Sequence, residues 1–251
     1  MTHHANDAAT VLPLPHVHLG RGRLGNLRTP GLLGQRPLVG LLMVLLGCMV
    51  FGILAVSLQA NGPLTRLDVP LADTVHAAAL QSSPLLRDAM IFGFYLGEHI
   101  VVVIGVVLAL YFLYKRFWPE LCMVAIAWAG EGAMWLVLSA HFQRARPVFT
   151  VPVWHQMTAP GFPSGHSISA VMCFGLLAYL VAPKMPSRFS KAVVIATAVL
   201  IMLYVGFSRI FVGDHYLTDV LAGYALGIAL CGLVYTGVEL VAKRRRIEDR
   251  I

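Results

Sequence analysis

Charge is scarce in this sequence. Only 12% of the 251 residues are Asp, Glu, Lys or Arg, while 58% are hydrophobic, whereas a soluble domain carries about 25% charged residues. This composition excludes an ordinary soluble domain and is typical of an integral membrane protein. The length suits one bundle of spanning helices with little left for a separate soluble domain.

Cysteine is also scarce. The four cysteines lie far apart, each within an apolar run, and no two have the C-x-x-C spacing of a metal or redox motif. We interpret them as small buried hydrophobic residues rather than as disulfides or metal ligands. They are Cys48, Cys122, Cys173 and Cys231.

Long apolar runs are what the chain has instead. A spanning helix needs about 20 mostly apolar residues. Six runs are long enough, and they predict an all-α integral membrane bundle of six transmembrane helices. The runs cover roughly residues 37–60, 89–113, 120–140, 164–182, 192–208 and 216–241.

The net charge of +7 is unevenly distributed. Lys and Arg occur in short blocks between apolar runs instead of on one soluble face, which argues against nucleic-acid binding. Most of them lie before span one, after spans two and four, and in the tail. The positive-inside rule therefore predicts a multi-pass protein of the plasma (inner) membrane with both termini in the cytoplasm. The loops 61–88 and 141–163 would then face the periplasmic or extracellular side.

These boundaries divide the chain into three parts. We predict a flexible cytoplasmic segment over 1–36, a six-helix membrane domain over 37–242 and a basic cytoplasmic tail over 243–251. The apolar spacing of residues 64–80 in the first outer loop predicts a short helix on the membrane surface.

Span four opens unusually, with Pro163-Ser164-Gly165-His166. Proline starts a helix, serine suits its cap, and the first free amides attract anions. Glycine lets a ligand approach the backbone, and histidine supplies a titratable proton. An ordinary capped helix start would explain the same residues, so this segment alone leaves both interpretations open.

Two further segments lie at the same predicted boundary. His215 and Asp219 share a helix face, where a carboxylate can fix one imidazole nitrogen as N–H and leave the other as a nucleophile or base. Arg209 ends span five, and Arg144 and Arg146 follow span three. Arginines beside helix ends favour an anion site. Interfacial ion pairs or contacts with lipid headgroups are the structural alternatives.

Together the three segments resemble the type-2 phosphatidic acid phosphatase family of membrane lipid phosphatases, which shares its core with vanadium haloperoxidases. The family signature is Lys-x6-Arg-Pro, then Pro-Ser-Gly-His, then Ser-Arg-x5-His-x3-Asp. The second part is complete at 163–166, but the first is partial, because Ser139 occupies the lysine position before Arg146 and Pro147. The third part is complete at Ser208, Arg209, His215 and Asp219.

The resemblance implies roles for the matching residues. His215 would be the nucleophile that forms a phosphohistidine, Asp219 would orient it, and His166 would protonate the leaving group. Positive charge and a helix N-terminus would bind the phosphoryl oxygens without a metal or cofactor. The binding residues would be Arg146, Arg209, Ser164 and Gly165.

Ser139 is the one departure from the signature. A serine donates a hydrogen bond but no charge, and loss of a transition-state contact costs about 2.7–4 kcal/mol by analogy with an oxyanion donor. Weaker turnover or a different substrate would follow. We expect Arg144 to supply the missing charge at the phosphate, with His141 as the alternative, and Ser139 to donate a hydrogen bond there.

Two acidic residues lie inside predicted spans. Glu98 and Glu131 are each about nine residues from the outer end of their span, or about 14 Å deep. Intramembrane acids are functional candidates. At this depth we expect a structural polar cluster, with each other or with His99, rather than direct catalysis.

These features favour hydrolysis of a phosphate or diphosphate monoester of a lipid, of the undecaprenyl diphosphate, phosphatidylglycerophosphate or phosphatidic acid type. A lipid phosphotransferase would share the first step, and a catalytically weak lipid-phosphate binding protein would fit the lost lysine. A transporter would depend on Glu98 and Glu131 instead of His215. The sequence does not predict which lipid is bound or the oligomeric state.

Overall fold

The computed structural model describes residues 37–248. The predicted flexible segment 1–36 and the last residues of the predicted tail lie outside the described residues. Between these limits the chain forms nine α-helices. They are α1 (Pro37–Gln59), α2 (Pro63–Arg66), α3 (Asp68–Gln81), α4 (Pro84–Tyr95), α5 (Val101–Tyr114), α6 (Trp118–Phe142), α7 (Gly165–Val181), α8 (Arg188–Phe211) and α9 (Leu217–Glu248).

Six of these stretches are long and apolar enough to cross a membrane, and the predicted all-α bundle of six transmembrane helices is confirmed. The second span is longer than predicted, because α4 and α5 are joined by a π-helical turn, Leu96–Ile100, into one helix from Pro84 to Tyr114. Its start is explained by Ser83, whose side chain caps the Leu86 amide, and by Pro84 in the first turn. The last helix runs to Glu248, into the predicted tail.

The spans form a bundle in which α7 and α9 are central. In their most apolar windows 61% and 67% of the residues are buried, against 17–33% for the other four spans. Two glycines of α9 make this pairing close. A Cβ on Gly223 would lie 2.6 Å from the Ser164 carbonyl oxygen, and one on Gly227 would lie 2.6 Å from the Val171 Cβ. The small-xxx-small spacing therefore brings the two backbones together.

The first outer loop is helical, as predicted, in α2 and α3. Helix α3 buries one face, formed by Asp68, Ala72, His76 and Ala79. Ala79 packs with Phe211 and Val212 at the outer end of α8. Helix α3 therefore covers the outer end of the bundle.

All four cysteines are free in the structure. Cys173 and Cys231 are buried in the core as expected. The expectation of burial is wrong for Cys48 and Cys122, which are exposed. They lie on α1 and α6, two spans at the periphery of the bundle, and most of the surface of these spans faces away from the other helices.

Candidate active site

The turn between α8 and α9 sets His215 in place. Gly213 has a φ of +84°, a conformation in which a side chain would be strained. The amides of Asp214 and His215 both donate to the Arg209 carbonyl, at 2.9 and 3.3 Å. This tight turn places His215 directly after α8 and just before α9.

Asp219 lies in the first turn of α9, facing His215. Its Oδ2 is 3.6 Å from His215 Nδ1, longer than a hydrogen bond, and accepts from the Tyr216 amide at 2.8 Å. Both side chains are buried, at 1% and 0% exposure. Asp219 is therefore placed to favour a proton on Nδ1, which leaves Nε2 of His215 as the nitrogen with a lone pair that can accept.

Arg146 approaches the other edge of the His215 ring from the long outer loop. Its Nη1 lies 3.0 Å from His215 Nε2 and donates to the Asp214 carbonyl, also at 3.0 Å. Its Nε donates to the Ala159 carbonyl at 2.6 Å. The loop folds back so that its own carbonyls hold this guanidinium beside the imidazole.

Arg209 is fully buried at the end of α8. Its Nη1 lies 3.2 Å from Asp214 Oδ2, and its guanidinium lies over the Phe94 ring, 5.2 Å from the centroid. An arginine is always charged, so this residue keeps a positive charge in the apolar interior.

His166 lies in the first turn of α7, with its ring centroid 6.4 Å from that of His215. The two imidazoles therefore lie at one site, on helix α7 and on the turn before α9.

Ser164 occupies the N-cap position of α7, and its amide donates to the Asp219 carbonyl at 3.0 Å. Its hydroxyl accepts from Ser167 Oγ at 3.2 Å and makes no capping bond, so it retains its own proton for donation. Gly165 has a different explanation from the predicted approach of a ligand. A Cβ there would lie 3.1 Å from Trp135 Nε1, so the glycine makes room for α6.

The electrostatics favour a neutral His215. Burial lowers the pKa of His215 well below its usual value of 6.5, and the positive charges of Arg146 and Arg209 lower it further. Burial also lowers the pKa of Arg146, although Asp214 and Asp219 oppose that shift. At neutral pH the site therefore combines an uncharged His215 with two cationic guanidinium groups.

Residues 120–242 match the model of the PAP2 superfamily. Over 165 residues the chain is 34% identical to phosphatidylglycerophosphatase B of Bacillus subtilis (strain 168), an alignment that covers 63% of this chain and 78% of the relative. The chain belongs to the PAP2 superfamily. It is thus a multi-pass membrane phosphatase, a hydrolase that acts on phosphate esters.

Two solved structures are similar to this one. The crystal structure of the transmembrane PAP2-type phosphatidylglycerolphosphate phosphatase from Bacillus subtilis has a TM-score of 0.62 at 28% identity, covering 76% of this chain and 94% of that one. Aquifex aeolicus LpxE has a TM-score of 0.52 at 23% identity, covering 67% and 93%, and shows the shared fold alone.

The structure brings the residues of the second and third PAP2 motifs to one site with Arg146. Arg144 lies beside them, but its guanidinium contacts two carboxylates, Asp68 at 2.7 Å and Asp219 at 2.5 Å. Ser139, at the PAP2 lysine position, is buried in α6, and its hydroxyl donates to the Leu136 carbonyl at 3.3 Å. Within the described part of the chain, no group of three or more metal-ligating His, Cys, Asp or Glu side chains is present.

The expectation that Glu98 lies too deep to reach the candidate active site, and pairs instead with Glu131 or His99, is wrong. Its Oε2 lies 3.2 Å from His166 Nε2. Glu98 follows Pro84 by fourteen residues, about 21 Å along the helix, so α7 begins far below the outer end of α4. Glu131 instead accepts a hydrogen bond from Ser169, so the two acids contact different residues of α7.

Sequence reasoning also missed Asp68. This residue is 1% exposed at the start of α3 and contacts Thr218 and Arg144 beside Asp219. The sequence gives no signal that separates Asp68 from Asp73, an exposed acid of the same helix.

Proposed function

We propose that this PAP2 protein hydrolyses the phosphate monoester of a phospholipid of the phosphatidylglycerophosphate type, through a phosphohistidine at His215. The observation that carries the proposal is the 3.0 Å contact between His215 Nε2 and the Arg146 guanidinium. It puts a positive charge beside the Nε2 lone pair of a buried neutral imidazole, and the substrate phosphate would take over this guanidinium donor when Nε2 attacks. The substrate class is that named for the similar Bacillus subtilis enzymes.

The first step transfers the phosphoryl group. His215 Nε2 attacks phosphorus while Asp219 stabilises the developing imidazolium at Nδ1. The bond between phosphorus and the lipid oxygen breaks, and that oxygen takes a proton from His166 on the far side. Arg146, Arg209, the Ser164 hydroxyl and the Gly165 amide stabilise the charge on the other phosphoryl oxygens.

The second step reverses these roles. His166, now neutral, takes a proton from a water molecule that attacks phosphorus, and the bond to Nε2 breaks. Inorganic phosphate leaves, and both histidines return to their starting states. An alcohol in place of water would yield a phosphotransferase, which shares the first step only.

The proposal is tested by phosphate release from purified protein in detergent micelles. The panel contains phosphatidylglycerophosphate, phosphatidic acid and undecaprenyl diphosphate. We expect phosphatidylglycerophosphate to be hydrolysed fastest, vanadate to inhibit, and His215→Ala to lower turnover by about 1000-fold or more. Arg188→Ala, an exposed change at the start of α8, is the control and should keep full activity.

The intermediate is tested directly. Substrate labelled in its terminal phosphate should label the wild-type protein in an alkali-stable, acid-labile form, as expected of phosphohistidine, and should not label His215→Ala. Wild-type turnover by His215→Ala would refute the nucleophile, whereas binding of the lipid without release by the wild type would support the lipid-binding alternative.

A further inference from the structure

Asp68 is the most buried acidic residue of the first outer loop, 61–88, and its side chain makes its hydrogen bonds with residues next to Asp219 in the candidate active site. Its Oδ1 accepts from the Thr218 amide at 3.0 Å. Its Oδ2 accepts from the Thr218 hydroxyl at 2.5 Å and from Arg144 Nη2 at 2.7 Å. A carboxylate that is 1% exposed requires such partners, because an unpaired buried charge is costly.

Arg144 connects Asp68 to Asp219. Nη2 of its guanidinium lies 2.7 Å from Asp68 Oδ2, and Nη1 lies 2.5 Å from Asp219 Oδ1. Nη1 also donates to the Thr218 hydroxyl at 2.7 Å, and the guanidinium lies over the Tyr216 ring at 4.4 Å. Burial lowers the pKa of Arg144, but the two carboxylates outweigh burial and raise it overall, so the bridge stays charged.

The two oxygens of Asp219 are thereby given separate tasks. Oδ1 is held by Arg144, whereas Oδ2 accepts from the Tyr216 amide and faces His215 Nδ1. A planar guanidinium that grips two carboxylates fixes the rotation of both. Arg144 therefore holds Asp219 at Oδ1, the oxygen remote from His215, and this contact sets the direction in which Oδ2 points.

Charge balance gives Asp68 a second effect. With Arg144 alone, Asp219 would form a one-to-one ion pair, and its negative charge toward His215 would be largely neutralised. Asp68 shares the positive charge of Arg144, so the triad of Asp68, Arg144 and Asp219 keeps one net negative charge. That charge is available to the imidazolium that forms on His215.

We propose that Asp68, on the outer helix α3, is a positioning residue for Asp219 and acts through Arg144. The inference rests on the proposed role of His215 and Asp219 in phosphoryl transfer. It makes α3 part of the catalytic architecture, and it assigns Arg144 to the support of Asp219 in place of the phosphate contact expected from the sequence.

The test compares Asp68→Asn, Arg144→Gln and the double variant. Outer partners of catalytic side chains are typically worth about 10–100-fold, so we expect each single variant to lose about 10–100-fold in kcat with KM within about two-fold. Because both residues act through one connection, the double variant should be no slower than Arg144→Gln alone. Asp73→Asn is the matched control, because Asp73 is an exposed acid on the same helix.

Each other outcome has a definite meaning. Wild-type kcat in Asp68→Asn, or multiplied losses in the double variant, would overturn the inference. A rise in KM for Arg144→Gln but not for Asp68→Asn would indicate that Arg144 binds the substrate phosphate, which would also overturn the inference. If Asp68→Asn does not fold, Arg144→Lys replaces it. Lysine keeps the charge but lacks the planar fork that grips two carboxylates, so wild-type kcat there would refute the bridge.

Failure of the inference is distinguishable from failure of the proposed function. If His215→Ala still turns over, the mechanism itself is wrong and the Asp68 variants carry no information about it. If His215→Ala is inactive while Asp68→Asn is unimpaired, the mechanism stands and only the positioning role is lost.

Discussion

At the scale of single residues, the site depends on His215, which stays neutral although several charged side chains surround it. Arg146, Arg209 and His166 all oppose a proton on His215, and burial adds to them. In the proposed mechanism, Asp219 faces Nδ1 and would compensate once positive charge develops there during the reaction. The same cations that hold the ring neutral before the reaction would then stabilise the phosphoryl oxygens.

This arrangement predicts the acid limb of the pH–rate profile. Because the pKa of His215 lies well below 6.5, the acid limb of kcat/KM should lie below about pH 6.5. Arg146→Gln removes a positive charge 3.0 Å from Nε2, so the imidazolium becomes easier to form and the acid limb should move to higher pH. We also expect a maximal rate lower by about 100–1000-fold, from the lost phosphate contact.

The measurement is kcat/KM for lipid-phosphate hydrolysis from pH 4 to pH 9, on the order of one point per half unit across the ordinary histidine range. Profiles are normalised to their own maxima, so that the lower rate of Arg146→Gln does not obscure the shift. An acid limb that stays in place, or moves to lower pH, would contradict the electrostatic coupling of Arg146 to His215.

Residue patterns located the site to different degrees. The Pro-Ser-Gly-His and Ser-Arg-x5-His-x3-Asp segments are local in sequence and mark a helix start and a helix turn, so the sequence alone indicated them. Asp68 and Glu98 belong to helices whose contact with the site depends on the axial offset between neighbouring helices. One-dimensional spacing carries no information about that packing.

At the scale of elements, the pairing of α7 with α9 sets the distance between His166 and His215. Each histidine lies at or just before the start of one of these helices. Gly223 and Gly227 allow contact distances that leave no room for a Cβ. A larger residue at either position would have to push the two helices apart.

Gly223→Val should therefore impair both stability and catalysis. A Cβ there would lie 2.6 Å from the Ser164 carbonyl oxygen and 2.7 Å from the Ser167 Cβ. Overpacking costs about 1–3 kcal/mol, and a 1 Å displacement of catalytic groups can cost about 100-fold in rate. We expect a lower thermal unfolding temperature in detergent and a kcat reduced by about 100-fold.

Gly237→Val is the matched control for this prediction. It introduces the same side chain into the same helix, but a Cβ at Gly237 meets nothing within 4 Å. Its helix-propensity effect is that of Gly223→Val, so the difference between the two variants isolates the contact with α7. Equal losses in both would show that helix propensity, and not the packing of α9 on α7, is responsible.

At the scale of the whole molecule, hydropathy predicted the number of spans because apolar length is a local property. It misjudged the depth of the site, because the loop before α7 folds back into the outer end of the bundle and α4 extends beyond it. The burial of α3 on α8 was also unpredicted, since an amphipathic helix can bury its apolar face in lipid or in protein. Six helices could be counted from the sequence, but their vertical offsets could not.

The orientation of the molecule gives the last prediction. The Lys and Arg bias predicts that the loop between α7 and α8 lies in the cytoplasm and the loop between α6 and α7 outside. We expect that the substitution Gln156→Cys, at an exposed position in the loop between α6 and α7, gives a cysteine that reacts in intact cells with a membrane-impermeant maleimide. A single cysteine at Arg188, exposed at the start of α8, should react only after the membrane is permeabilised.

Both variants require a cysteine-free background, because Cys48 and Cys122 are exposed on helix surfaces. Retained phosphatase activity in that background shows that the fold survives, and a strain carrying it alone gives the unlabelled baseline. Labelling of Arg188→Cys but not Gln156→Cys in intact cells would reverse the orientation. In that case the site, which lies at the same end as the Gln156 loop, would act on lipid phosphates of the cytoplasmic leaflet.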